Sequence, residues 1–212
     1  SFEGYADVLR RLGYPVKLEF TSIFPPEGGN LRPLSDIIGE KKNFQQWIGI
    51  APFAAHEGKI LPTEKTEELI KEISRRHPSC RIFLFGGGEK EHAVLNAWCE
   101  RYNNCTNASQ ALSSLKEEMV VMSHLDVMVS MDSGNMHLAA ISGTRVISVW
   151  GETHPYAGFL GWNQRPEDCI QADLPCRPCS IYGNKPCQRG DYACLTSIDP
   201  ITIADKVDWI LN

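Results

Sequence analysis

Short apolar runs at residues 47–51, 81–85, 127–131 and 145–150 each end in a polar or glycine-rich turn. Stretches of helical spacing follow at 63–77, 89–102 and 135–142. Apolar runs of five or six residues alternating with helices cannot pair as hairpins. They require crossovers, so this order implies a parallel sheet covered by helices on both faces. A shorter apolar piece at 105–106 and helical spacing at 112–123 and 200–211 extend the series to five or six strand–helix units. The predicted fold is therefore α/β, a Rossmann-like doubly wound parallel sheet.

The chain has 212 residues, 42% of them hydrophobic and 22% charged, enough to bury a full core. A net charge of −5 with no basic cluster excludes a dedicated nucleic-acid binder. No apolar run reaches the ~20 residues needed to span a bilayer. The chain also opens without a basic-then-apolar leader.

The organisation is uneven before the first confident strand. Apolar residues at Phe2, Tyr5, Ala6, Leu9 and Leu12 predict a helix that Gly13 stops, and residues 16–20 read as a short strand. Residues 22–43 are rich in Pro and Gly and read as irregular. We therefore expect residues 1–43 to be a linker helix and loop, and residues 44–212 to form the sheet domain with a cysteine-rich segment at 169–194.

Ligands of such sheets bind beyond the carboxyl ends of the strands, and there the polar turns of this chain gather. Residues 52–59 follow one strand, 86–89 another, 132–135 a third and 151–154 a fourth. The richest is Asp132-Ser133-Gly134-Asn135-Met136-His137, a polar turn between a buried strand and a helix whose free N–H groups would face an anion. Taken singly, each element has a plain structural explanation. Three glycines after a strand make a tight connection, Asp132 can cap a helix, His137 can be a packed side chain, and Glu89 can sit favourably on a helix dipole. Their coincidence on one sheet edge favours a binding site.

Cysteines divide into two groups. Cys80, Cys99 and Cys105 lie in apolar or helical contexts and read as small buried hydrophobes. Cys176, Cys179, Cys187 and Cys194 crowd the tail, with Cys169 before them. Their knuckle-like spacing suits a structural zinc ion, with disulfides or free thiols as alternatives.

The segment from Asp132 to Ala140 resembles the D-[ST]-G-x-x-H-x-x-A signature of glycosyltransferase family 9, the ADP-heptose:lipopolysaccharide heptosyltransferases. Lys59 shortly before Pro62, Gly86-Gly87-Gly88-Glu89, Gly151-Glu152-Thr153 to Pro155, and the cysteine tail resemble further motifs of that family, in the same order across residues 44–212. The resemblance implies the carboxyl-terminal, donor-binding half of a GT-B glycosyltransferase. It also implies inverting, metal-independent transfer of a heptose or similar sugar from a nucleoside diphosphate to a lipopolysaccharide-type acceptor. Under it, Ser133, Gly134 and Asn135 offer the helix N-terminus to the diphosphate, with Lys59 as a mobile charge and Thr153 as a hydroxyl. Asp132 serves sugar hydroxyls or Lys59, Glu89 the ribose, and His137 the diphosphate or sugar. No residue here suits the general base, which belongs with the acceptor site in the family's amino-terminal half. No cofactor is required, and a cytoplasmic location with peripheral membrane contact of the whole enzyme follows from the donor and the lipid-linked acceptor. Rival readings are another GT-B enzyme, an epimerase or hydrolase, and a non-catalytic nucleotide-binding module.

Overall fold

The computed structural model describes residues 2–157 and 159–212. Six strands, β1 (Trp47–Ala51), β2 (Arg81–Leu84), β3 (Cys105–Asn107), β4 (Val127–Met131), β5 (Val146–Trp150) and β6 (Cys169–Gln171), form one sheet in the order β3-β2-β1-β4-β5-β6. Every neighbouring pair is parallel. This is the doubly wound arrangement, with its switch point between β1 and β4.

The pleat explains why the runs are continuously apolar. Ile48 and Ile50 of β1, Ile82 and Leu84 of β2, and Val127 and Val129 of β4 point into one core. Trp47, Phe83 and Met128 point into the other. Both faces are buried, so no polar alternation survives. Gly49 faces the second core, where a Cβ would collide with Met128 and Leu125.

Helix α1 (Phe2–Arg11) precedes the sheet and buries no residue, and α2 (Ser35–Ile38) carries Ile38 into the second core beside Leu34. On the first face, α3 (Thr63–Arg76) supplies Leu69, Ile70 and Ile73, and α4 (Gly88–Arg101) supplies Leu95 and Trp98. On the second, α5 (Ala108–Ala111), α6 (Leu115–Met122) and α7 (Gly134–Ile141) supply Ala108, Val121, Met136 and Ala139. A short α8 (Ala193–Thr196) leads into α9 (Pro200–Leu211), which returns to the first face with Ile203 and Val207. Asp199 caps α9 by accepting from the Ile201 N–H, with Pro200 in the first turn.

Several expectations are corrected. Residues 16–20 form no strand: they are exposed and find no sheet edge to pair with. The helix expected over 112–123 is α6, and it starts later, at Leu115, because Ser114 caps it by accepting from the Glu117 N–H. The edge strand β6 and helix α8, three and four residues long, are too short to leave a periodic pattern in the sequence. Among the described residues no helix is long and apolar enough to cross a membrane.

Candidate functional site

At the switch point β1 hands over to α3 on one face and β4 to α7 on the other, so their loops part and leave a crevice. Three loops meet in it. Lys59, in the loop after β1, places Nζ 3.1 Å from Asp132 Oδ2, in the turn after β4. The Thr153 hydroxyl, in the loop after β5, donates to the same oxygen at 2.8 Å. Asp132 is 3% exposed and Thr153 is fully buried, so the carboxylate is held by one cation and one hydroxyl in a nearly dry setting.

Helix α7 begins directly after this aspartate. Ser133 takes the extended conformation of an N-cap, but no side chain among the described residues caps the first turn, which carries no acidic residue. Asp132, a candidate cap by sequence, is instead engaged by Lys59 and Thr153. A Cβ added to Gly134 would meet nothing within 4 Å, so the helix start opens onto free space. The first-turn N–H groups thus remain available to an anion.

A cavity of about 240 Å³ lies over this turn, lined by Lys59, Asp132, Ser133, Gly134 and His137 on one side and Ala55, Phe159, Ile181 and Tyr182 on the other. Burial pushes the His137 imidazole below its ordinary pKa; Asp132 opposes this and Lys59 reinforces it. At neutral pH the ring is therefore neutral, able to donate through one nitrogen and accept through the other. A larger hollow of about 560 Å³, bounded by Lys41, Phe44 and Asp126, lies at the opposite, amino-terminal end of β1, away from the converging turns.

The other sequence-predicted residues lie around this centre. Thr153 is present but its hydroxyl is committed to Asp132 and does not line the cavity. Asn135 is half-buried on α7, outside the cavity lining. Glu89 is exposed in the first turn of α4, on the β2 side of the site. There Glu91, not Glu89, fixes the glycine turn by accepting from the Gly87 N–H at 2.7 Å.

The tail holds the four cysteines named as zinc candidates. Among the described residues no group of three or more His, Cys, Asp or Glu side chains could hold a metal ion, and all eight cysteines are free. Cys176 is exposed while Cys194 is buried on α8, its thiol pushed up to about 11 by burial. Arg177, between the first two cysteines, organises the segment instead. Its guanidinium donates to the carbonyls of Gly151 at 2.5 Å, Ala172 at 2.5 Å and Thr153 at 2.9 Å, and to Gln171 Oε1 at 3.2 Å. The tail is thereby clipped onto the loop after β5. Beyond the clip, Gly183 adopts φ +71° against the stem of Lys59, where a Cβ would clash with Cγ and Cδ.

Sequence reasoning missed Phe159, Ile181, Tyr182, Arg177 and Glu152. The first three sit in irregular loops where no periodicity singles them out, and the cysteine spacing drew attention away from Arg177. Glu152 is fully buried, neither carboxyl oxygen has a hydrogen-bond partner among the described residues, and burial, with Glu57 nearby, raises its pKa. Its position in an exposed-looking polar turn gave no sign of this.

The chain matches the family model of glycosyltransferase family 9 (heptosyltransferase) over residues 34–187, more than half its length. It is 22% identical over 178 residues to a lipooligosaccharide heptosyltransferase 2 of Campylobacter jejuni, covering 81% of this chain and 53% of that relative. The chain thus spans about half the length of that curated relative. Its fold is similar to that of a family 9 glycosyltransferase from Veillonella parvula, with TM-score 0.69 and 18% identity over 99% of this chain and 59% of that one. It is also similar to the Escherichia coli ADP-heptose lipopolysaccharide heptosyltransferase II, with TM-score 0.63 and 20% identity over 85% of this chain and 49% of that one.

Proposed function

The chain belongs to glycosyltransferase family 9, and from that premise we propose that it forms the donor-binding half of an inverting, metal-independent enzyme. The enzyme would transfer a heptose or similar sugar from a nucleoside diphosphate to a lipopolysaccharide-type acceptor. The observation that carries the reading is the union of Lys59, Asp132 and Thr153 at the switch point, directly beneath the uncapped start of α7. The named donor of the E. coli neighbour, ADP-heptose, supports the choice of nucleotide sugar.

A diphosphate leaving group departs with a bonding pair and gathers negative charge as the bond to the anomeric carbon breaks. The first-turn N–H groups of α7 would receive that charge, and Lys59 would shift part of its contact from Asp132 to a phosphate oxygen. Neutral His137 can donate a further hydrogen bond without first losing a proton. Fixed donors of this kind take the part that a divalent cation plays elsewhere. Asp132, freed partly from Lys59, would accept from a sugar hydroxyl. The acceptor hydroxyl attacks the anomeric carbon from the opposite face, and its proton goes to a base supplied with the acceptor site by the other half of a GT-B enzyme. Residues 1–43 would lead from that half into the donor domain. Nucleotide sugars place the reaction on the cytoplasmic side, with the lipid-linked acceptor bringing the whole enzyme to the membrane surface.

Calorimetric titration of this chain with ADP, ADP-heptose and the UDP and GDP sugars tests the proposal. Binding that prefers the adenine nucleotides and is lost in Lys59→Ala is the expected result. No nucleotide binding, or full sugar transfer by this chain alone, would overturn it.

A further inference from the structure

The anion turn accounts for one side of the cavity only. The opposite side is built by Phe159, Ile181 and Tyr182, from loops beyond β5, and these are apolar or aromatic. Phe159 and Tyr182 are themselves in contact, with ring centroids 5.8 Å apart and planes inclined by 51°. Tyr182 is 59% exposed and Ile181 is 62% exposed, a solvent exposure unusual for adjacent large hydrophobic side chains.

Tyr182 is nonetheless held in place. Five residues before it, Arg177 fastens the chain to the carbonyls of Gly151 and Thr153. Two before it, the Ser180 N–H donates to the Glu152 carbonyl, and the Ser180 hydroxyl accepts from the Gly183 N–H at 2.8 Å. One after it, Gly183 rests on the stem of Lys59. The ring is thus tied to the same loops that hold Lys59 and Asp132.

We propose that Phe159 and Tyr182 form the sugar subsite of the donor pocket, with the rings against the apolar C–H face of the transferred sugar. This rests on the donor-binding reading above. The strand order decides which end of the donor meets the rings. A nucleoside diphosphate sugar anchored by its phosphates at the turn after β4 extends in two directions. On the side of β1 and β2 lies the glycine turn with exposed Glu89, suited to ribose hydroxyls; on the side of β5 lies the aromatic pair. The sugar therefore falls on the aromatic side. A pyranose offers hydroxyls at its rim and C–H groups on its face, and the cavity matches both, with Asp132 and Lys59 for the rim and the rings for the face.

The test is calorimetric titration of wild type, Tyr182→Ala and Tyr182→Phe with ADP and with ADP-heptose. Tyr182→Ala is expected to weaken ADP-heptose about tenfold, equal to ~1.4 kcal/mol, while ADP affinity stays within about twofold of wild type. Tyr182→Phe, which keeps the ring, should bind both ligands as wild type does. Phe159→Leu should repeat the selective loss on the second ring. Equal weakening of both ligands in Tyr182→Ala, or no weakening of either, overturns the subsite. Wild type that binds ADP but gains nothing from the heptose also overturns it, leaving the donor reading intact. Wild type that binds neither overturns the donor reading itself.

Discussion

Replacing Lys59 with methionine removes the only cation that faces Asp132 among the described residues while keeping an unbranched stem of similar length. At 3.1 Å and an effective dielectric of about 20, the pair has a gross attraction of about 5 kcal/mol. Much of that is offset by the desolvation of both groups, since the Lys59 side chain is 16% exposed and that of Asp132 5%. In Lys59→Met the carboxylate keeps its burial and loses its cation, retaining only the Thr153 hydroxyl. A net destabilisation of about 2–4 kcal/mol follows, which for a chain of this length lowers Tm by roughly 5–15 °C. Asp132→Asn removes the charge instead and is expected to be milder. In the double variant no uncompensated charge remains, so it should be more stable than the sum of the two singles by about 2 kcal/mol. Urea denaturation of the four proteins at about pH 7.5 and about 0.15 M salt, where a buried pair is weakly screened, measures this coupling. Additivity of the two single changes to within about 0.5 kcal/mol would refute the claim that these side chains act as a unit.

Arg177→Met should cost about 3 kcal/mol, because three carbonyls lose a charged donor; hydrogen exchange is expected to rise across residues 176–190 and to stay low in the sheet. Unchanged exchange there would show that something else holds the tail. Gly183→Ala places a Cβ at positive φ and against Lys59, so a loss of about 1–2 kcal/mol together with weaker ADP binding is expected from melting and titration. Weaker melting with intact ADP binding would separate Gly183 from the site. Glu152 has a folded pKa raised above its unfolded value, so its favourable contribution is complete below the unfolded pKa near 4.5 and is lost as pH rises through the raised value. Glu152→Gln should therefore match wild type in acid and exceed it in stability at alkaline pH, measured as Tm across the two ranges; a constant difference at all pH values would contradict a buried carboxylate.

The sheet was legible in the sequence because its physics is local. Four of six strands are runs long enough to be apolar on both faces, and the start of α9 is marked by its own capping pair, Asp199 and Pro200. The Asp132 turn was legible for the same reason, being one strand end and one helix start in succession. What escaped depends on partners far away in the chain. Thr153 reads as a hydroxyl for a phosphate until Asp132 is seen to claim it, and Glu152 reads as a surface acid until Gly58 is found packed against its carboxyl group. Residues 16–20 show the complementary error, since alternation alone makes no strand where the segment pairs with no neighbour.

The Lys59, Asp132 and Thr153 contacts join loops that follow three different strands, at sequence separations of 73 residues for the pair and 21 for the hydroxyl bond. Such a knot makes the mouth of the sheet stiff before any ligand arrives. The entropy of ordering those loops is then lost during folding and need not be lost again on association, so a ligand that enters keeps more of its contact energy as affinity. The same knot limits how the site can diverge over generations. A change at any one of the three positions strands the other two, so new specificity is more easily reached through the exposed aromatic side of the cavity, where a ring can be exchanged without disturbing a buried charge.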